Sequence, residues 1–133
     1  MAAPHALRRL LHLLHLEEEQ CRRTLEAALS DLRNLERALQ TAAHQDRGGR
    51  RLIAASAQTG DIIDRAAGLE EGYAAARRVA LLRPRLQESE ERVAALREDY
   101  LAKRVERRQA ETLVHEAEAT AAVEAARRNQ QTL

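Results

Sequence analysis

From His5 to His44 the chain contains neither proline nor glycine, and its apolar positions recur at alternating steps of four and three. Leu7, Leu11, Leu14, Glu18, Cys21, Leu25, Ala28, Leu32, Leu35, Leu39 and Ala42 mark the repeat, with Glu18 the one polar member. Such steps average 3.5 residues, the period of a supercoiled seam rather than the wider stripe of a globular helix. A helix of about 40 residues is about 60 Å long, too long for one small core, so the seam needs a partner along its length.

A second run repeats the rhythm through Val79, Leu82, Leu86, Ser89, Val93, Leu96, Tyr100, Lys103, Arg107, Ala110 and Val114. Beyond Tyr100, the residues Leu101, Val105 and Leu113 compete for the stripe, which predicts drift and relaxed supercoiling. Past Val114 the face is nearly all alanine. Pro84 interrupts the run, but seam positions continue on both sides, so a continuous, kinked helix is expected. Between the runs, Gly48–Gly49 is expected to end the first helix, because paired glycines are costly inside one. Thr59–Gly60–Asp61 reads as a turn, with Asp61 an N-cap for Ile62–Ile63. The expectation is a single elongated domain over 1–133: helix A about 5–46, a tip about 47–72, and helix B about 73–131. The fold class is all-α, a long antiparallel two-helix coiled-coil hairpin with an irregular glycine-containing tip.

Folding the chain symmetrically about Gly60–Asp61 sets the two seams against each other. Leu39 then meets Leu82, Leu35 meets Leu86, Ala28 meets Val93, Leu25 meets Leu96, and Cys21 meets Tyr100. Glu18 falls opposite Lys103, the only lysine in the chain. A slip of one heptad would set Glu18 against Leu96 or Ala110, and an unpaired seam charge costs several kcal/mol. Glu18 and Lys103 are therefore expected to fix the register. The next layer, Leu14 against Arg107, matches poorly and predicts an open end that is loosely joined or completed by another molecule.

Composition narrows the function. Aromatics make up 2% of the chain, with Tyr73 and Tyr100 alone, which disfavours a globular pocket. Charged residues are 32% and the net charge is +1, so no one-sided basic field marks a nucleic-acid binder. The single cysteine, Cys21, excludes an internal disulfide and sits on the seam as a small hydrophobe. The N-terminal Leu/His run is short, broken by His12 and His15, and followed by three glutamates rather than a cleavage site. No stretch has the length of a membrane span, and a cytoplasmic protein is expected. His12, His15 and Glu19 share a face, but no second element supplies further ligands, so they read as solvated positions. The same holds for Glu116 and Glu118 beside His115. No nucleophile–base constellation and no phosphate cradle is present, so an enzyme is not expected and no cofactor or metal is called for. The arginine clusters (Arg77–Arg78, Arg104/Arg107/Arg108, Arg127–Arg128) fit either an acidic partner or Glu–Arg pairing on exposed faces.

Several stretches resemble the FliJ/YscO-type proteins, the central-stalk component of the flagellar and type III secretion export ATPase. They are Ala6–Gln20, a leucine-rich opening with an acidic patch, and then Leu25–Leu29, Leu32–Leu39, Leu86–Val93 and Arg104–Leu113. The resemblance implies a non-enzymatic stalk similar to that of rotary ATPases, with its open end in the channel of the ATPase hexamer. The hairpin's other end would reach toward the export gate, a membrane protein, and export chaperones are a further implied partner. Localisation would be cytoplasmic, peripheral to the inner membrane, with no direct membrane insertion and no nucleic acid bound. Leu7, Leu10, Leu14, Arg127 and Arg128 are the implied ATPase-facing residues, and Leu39, Ala42, Tyr73 and Ala80 the implied gate-facing ones. The chain departs from the family in lacking aromatics just after helix A, where Gln45 and Gly49 stand, and Leu133 ends it earlier than the family pattern, as a truncated chain would. The competing reading is a coiled-coil adaptor or scaffold that forms homo- or hetero-oligomeric bundles.

Overall fold

The computed structural model describes residues 2–132. Two helices, α1 (Ala2–Thr59) and α2 (Ile62–Gln131), pack against each other as an antiparallel hairpin. The hairpin is as expected; its segmentation is not. The break is confined to Gly60–Asp61, and the stretch 47–72 expected to be irregular is otherwise helical.

The turn is built from ordinary capping chemistry. Gly60 takes φ +72°, the left-handed conformation that ends helices cheaply when no Cβ is present. Its N–H donates to the Ser56 carbonyl at 2.7 Å. Asp61 then caps α2 as the sequence predicts, its Oδ1 accepting from the Ile63 N–H at 2.9 Å and the Asp64 N–H at 3.4 Å.

The chain divides into two packing units. The first, Ala27–Ala94, contains the turn. Here α1 and α2 come together through small residues, with Ala42 0% and Ala75 1% exposed. Gly49 and Gly68 are both buried, and a Cβ on either would lie 2.6 Å or 2.5 Å from the other's carbonyl oxygen. Thus Gly49 does not end a helix; it lets a second backbone approach. The weak helix propensity of glycine, about 1 kcal/mol relative to alanine, is offset by this contact. Ala42, Gly49 and Ser56 stand seven residues apart, so the seam continues to the turn at heptad spacing. The buried Ser56 hydroxyl donates to the Ile53 carbonyl at 2.7 Å. Pro84 lies inside an uninterrupted α2. Its missing N–H leaves the Ala80 carbonyl without a helical donor, and Ala80 is exposed, so that acceptor lies open to solvent.

The second unit joins Met1–Glu26 to Ala95–Leu133. Leu14, Leu25, Ala110 and Val114 are its buried core. The predicted loosening around Leu14 does not occur, and neither does the drift of the stripe. Leu101, Val105 and Leu113 are exposed, while Lys103 and Arg107 hold the seam. Their aliphatic stems cover apolar surface and their charged heads find carboxylates nearby, so a basic residue serves at a core position.

Candidate functional site

In the second unit a charged layer crosses the seam. Glu18 belongs to the first helix's apolar repeat, and its side chain is 14% exposed. Its partner is Arg107, 18% exposed, and not Lys103. Arg107 Nε donates to Glu18 Oε2 at 2.8 Å and Nη2 to Oε1 at 3.4 Å, while Nη1 reaches Glu111 at 2.9 Å. Side chains lean toward the N-terminus of their own helix. In an antiparallel pair Glu18 therefore leans toward the open end and Arg107 toward the turn, so they converge, whereas Lys103 leans away from Glu18. The planar guanidinium also engages two carboxylates at once, which a point-charge ammonium does less well. Its hydrogen bond holds the Glu18 carboxyl below its ordinary value of 4.5, against the opposing effect of desolvation.

Lys103 has a different task. Its Nζ lies 2.9 Å from Glu17 and 3.3 Å from Glu106. These two glutamates each precede a seam position and share one flank, so Lys103 neutralises facing like charges. These contacts, led by the hydrogen bond to Glu17, raise its pKa above 10.5. On the opposite flank Arg8 pairs with Glu118 at 2.6 Å. Within this unit both flanks thus hold one register, though not by the expected Glu18–Lys103 pair.

Of the residues implied to face an ATPase, Leu14 is buried and Leu7 half-buried in the seam, so neither offers a free side chain. Leu10 is exposed, as are Arg127 and Arg128. Sequence reasoning passed over Leu13 and Leu16, which are exposed on the same turns of α1. Leu113 precedes the seam residue Val114 as Leu10 precedes Leu11, and in an antiparallel pair these positions share a flank. Leu10, Leu13 and Leu113 therefore form an open apolar surface beside a closed core.

In the first unit, Leu39 is half-buried and Ala42 fully buried, so both are seam residues rather than contact residues. Tyr73 and Ala80 are exposed on one flank of α2. Ala80 lines a groove floored by Ala42 and Ala75, and Tyr73 lines a neighbouring groove with Leu69 and Ile53. Leu69, Ala76 and Ile62 extend this surface and were not singled out from the sequence. The signal for them was available, since Ile62, Ala66, Leu69, Tyr73, Ala76 and Ala80 keep the four–three rhythm one face away from the seam.

Among the described residues no three His, Cys, Asp or Glu side chains are grouped to hold a metal ion, and no helix is long and apolar enough to cross a membrane. Comparison with protein families, with characterised proteins and with solved structures gives no match.

Proposed function

We propose that this chain is a non-enzymatic stalk that couples a flagellar or type III export ATPase to its export gate. One observation carries the reading. The open-end unit closes its seam with its own second helix, yet leaves Leu10, Leu13 and Leu16 in solvent on successive turns of the Ala6–Gln20 stretch. A cluster of exposed leucines beside a satisfied core supports a surface that meets another protein. That stretch is also where the resemblance to the stalk family begins. In this reading Leu10, Arg127 and Arg128 face the ATPase hexamer, Tyr73 and Ala80 face the gate, and the protein acts in the cytoplasm at the inner membrane, with export chaperones as further partners. Leu7, Leu14, Leu39 and Ala42 act from within the seam by holding these residues in place.

The test is co-purification of the full chain with a hexameric flagellar or type III export ATPase. Retention of the wild type and loss with Leu10→Asp/Leu13→Asp is the expected result. Retention unaffected by that double variant overturns the assignment of the surface.

A further inference from the structure

The first turns of α2 carry a second apolar repeat outward of the seam. Ile62, Ala66, Leu69, Tyr73, Ala76 and Ala80 follow at steps of four and three, the same period that closes α2 on α1. None is a seam residue, and the large ones stand in solvent: Ile62 is 80%, Tyr73 64% and Leu69 44% exposed. A 3.5-residue repeat held rigidly on a helix fits another helix, because only a helix returns contacts at that interval.

α1 supplies the other wall. Grooves lie along one flank of this unit, from Ala43 beside Ala76 and Ala80, through Ile53 beside Leu69 and Tyr73, to Ala57 beside Ile62. Gly68 and Gly72 line the middle groove at its base, where Gly68 is closed against the Gly49 backbone and Ile53, and Leu69 and Tyr73 stand at its open side. Tyr73 is the one aromatic on this surface, of the type that anchors protein interfaces.

Charge selects the occupant. Arg50, Arg65 and Arg83 line these grooves. The acids beside them are engaged, Asp46 with Arg50 at 3.0 Å and Asp61 as the cap of α2. Among the described residues neither Arg65 nor Arg83 enters an ion pair. A two-fold-related copy centred near Tyr73–Ala76 would set Arg65 against the copy's Arg83, like charge on like, so the surface is not self-complementary. We infer that this flank docks an acidic amphipathic α-helix from another protein, which completes a three-helix seam with α1 and α2. The inference stands apart from the stalk reading, since it concerns the turn-proximal unit alone and holds whether or not the open end binds an ATPase.

The experiment selects binders to the full chain from a displayed library of amphipathic helices, roughly four heptads long, with apolar a and d positions and Glu or Lys allowed at every flanking position. The expected result is enrichment of Glu-flanked sequences, with affinity falling about tenfold or more when those flanks become Lys. Leu69→Asp/Tyr73→Asp abolishes binding without lowering the melting temperature, because both side chains are exposed. Arg65→Glu/Arg83→Glu turns the selection toward Lys. Absence of enrichment, enrichment indifferent to flanking charge, or binding that survives Leu69→Asp/Tyr73→Asp overturns the inference. So does a wild-type dimer in sedimentation that this same double variant converts to monomer, which would make a second copy the occupant.

Discussion

At the scale of residues, the hairpin is specified by which side chains can sit half-buried in a seam and still find a charge. Glu18 and Arg107 form the interior layer, with exposures of 14% and 18%, and Lys103 sits to one side between Glu17 and Glu106. A double-mutant cycle between Glu18→Gln and Arg107→Gln is therefore expected to show a coupling larger than that between Glu18→Gln and Lys103→Gln. Equal couplings would contradict the geometry. The pH dependence follows from the same contact. Glu18 in the fold has a pKa lowered from 4.5 by the Arg107 hydrogen bond, so between the two values the unfolded chain binds more protons. Its contribution is fully present above pH 4.5 and is lost as pH falls through the folded value. Acid unfolding of Glu18→Gln is predicted to show a shallower dependence on pH below 4.5 than the wild type, measured by helix content in an acid titration.

At the scale of elements, two adjacent glycines behave oppositely. A Cβ at Gly48 meets nothing within 4 Å, so Gly48→Ala is predicted to stabilise the chain by about 1 kcal/mol through helix propensity. A Cβ at Gly49 falls 2.6 Å from the Gly68 carbonyl oxygen, and the helices must part to admit it. Overpacking of that kind costs about 1–3 kcal/mol against a propensity gain of about 1 kcal/mol, so Gly49→Ala is predicted to gain nothing and to destabilise the chain by up to about 2 kcal/mol. Urea denaturation of both variants checks the pair. Gly60→Ala strains a residue at φ +72° and is predicted to cost about 1 kcal/mol. The contrast explains what the sequence could and could not reveal. The seam positions from Leu7 to Ala42 and from Val79 to Val114 are all buried or half-buried, because a 4–3 apolar repeat permits one face only. The turn at Gly60–Asp61 was also legible, since a left-handed glycine followed by an N-cap has its own chemistry. Gly49 and Gly68 were not, because a glycine that breaks a helix and one that admits a second helix are the same letter. Which one it is depends on a residue about twenty positions away. The choice of Arg107 over Lys103 was hidden for a related reason, since symmetric pairing ignores the direction in which side chains lean.

At the scale of the whole molecule, the apolar residues divide into those that close the hairpin and those left outside it. The interior set fills the seam from within the chain, and the exterior set (Leu10, Leu13 and Leu113 in one unit, Ile62, Leu69 and Tyr73 in the other) is exposed apolar surface in each unit, the surface on which the proposals above rest. The candidate surface residues were legible only in part. Leu10, Tyr73 and Ala80 stand in solvent as a contact role requires, whereas Leu14 and Ala42 carry the same letters as surface residues but lie inside. Burial of an alanine or leucine in a hairpin depends on its phase relative to the partner helix, so single letters do not settle it. With the core closed, substitutions at Leu10 and Leu13 are predicted to leave thermal stability nearly unchanged, within about 0.5 kcal/mol, while removing partner binding. The stalk role is read out by ATP hydrolysis of a flagellar or type III export ATPase with the purified chain added. Faster hydrolysis with the wild-type chain, and no stimulation with Leu10→Asp/Leu13→Asp at equal helix content, is expected. Hydrolysis unchanged by the wild-type chain would contradict it.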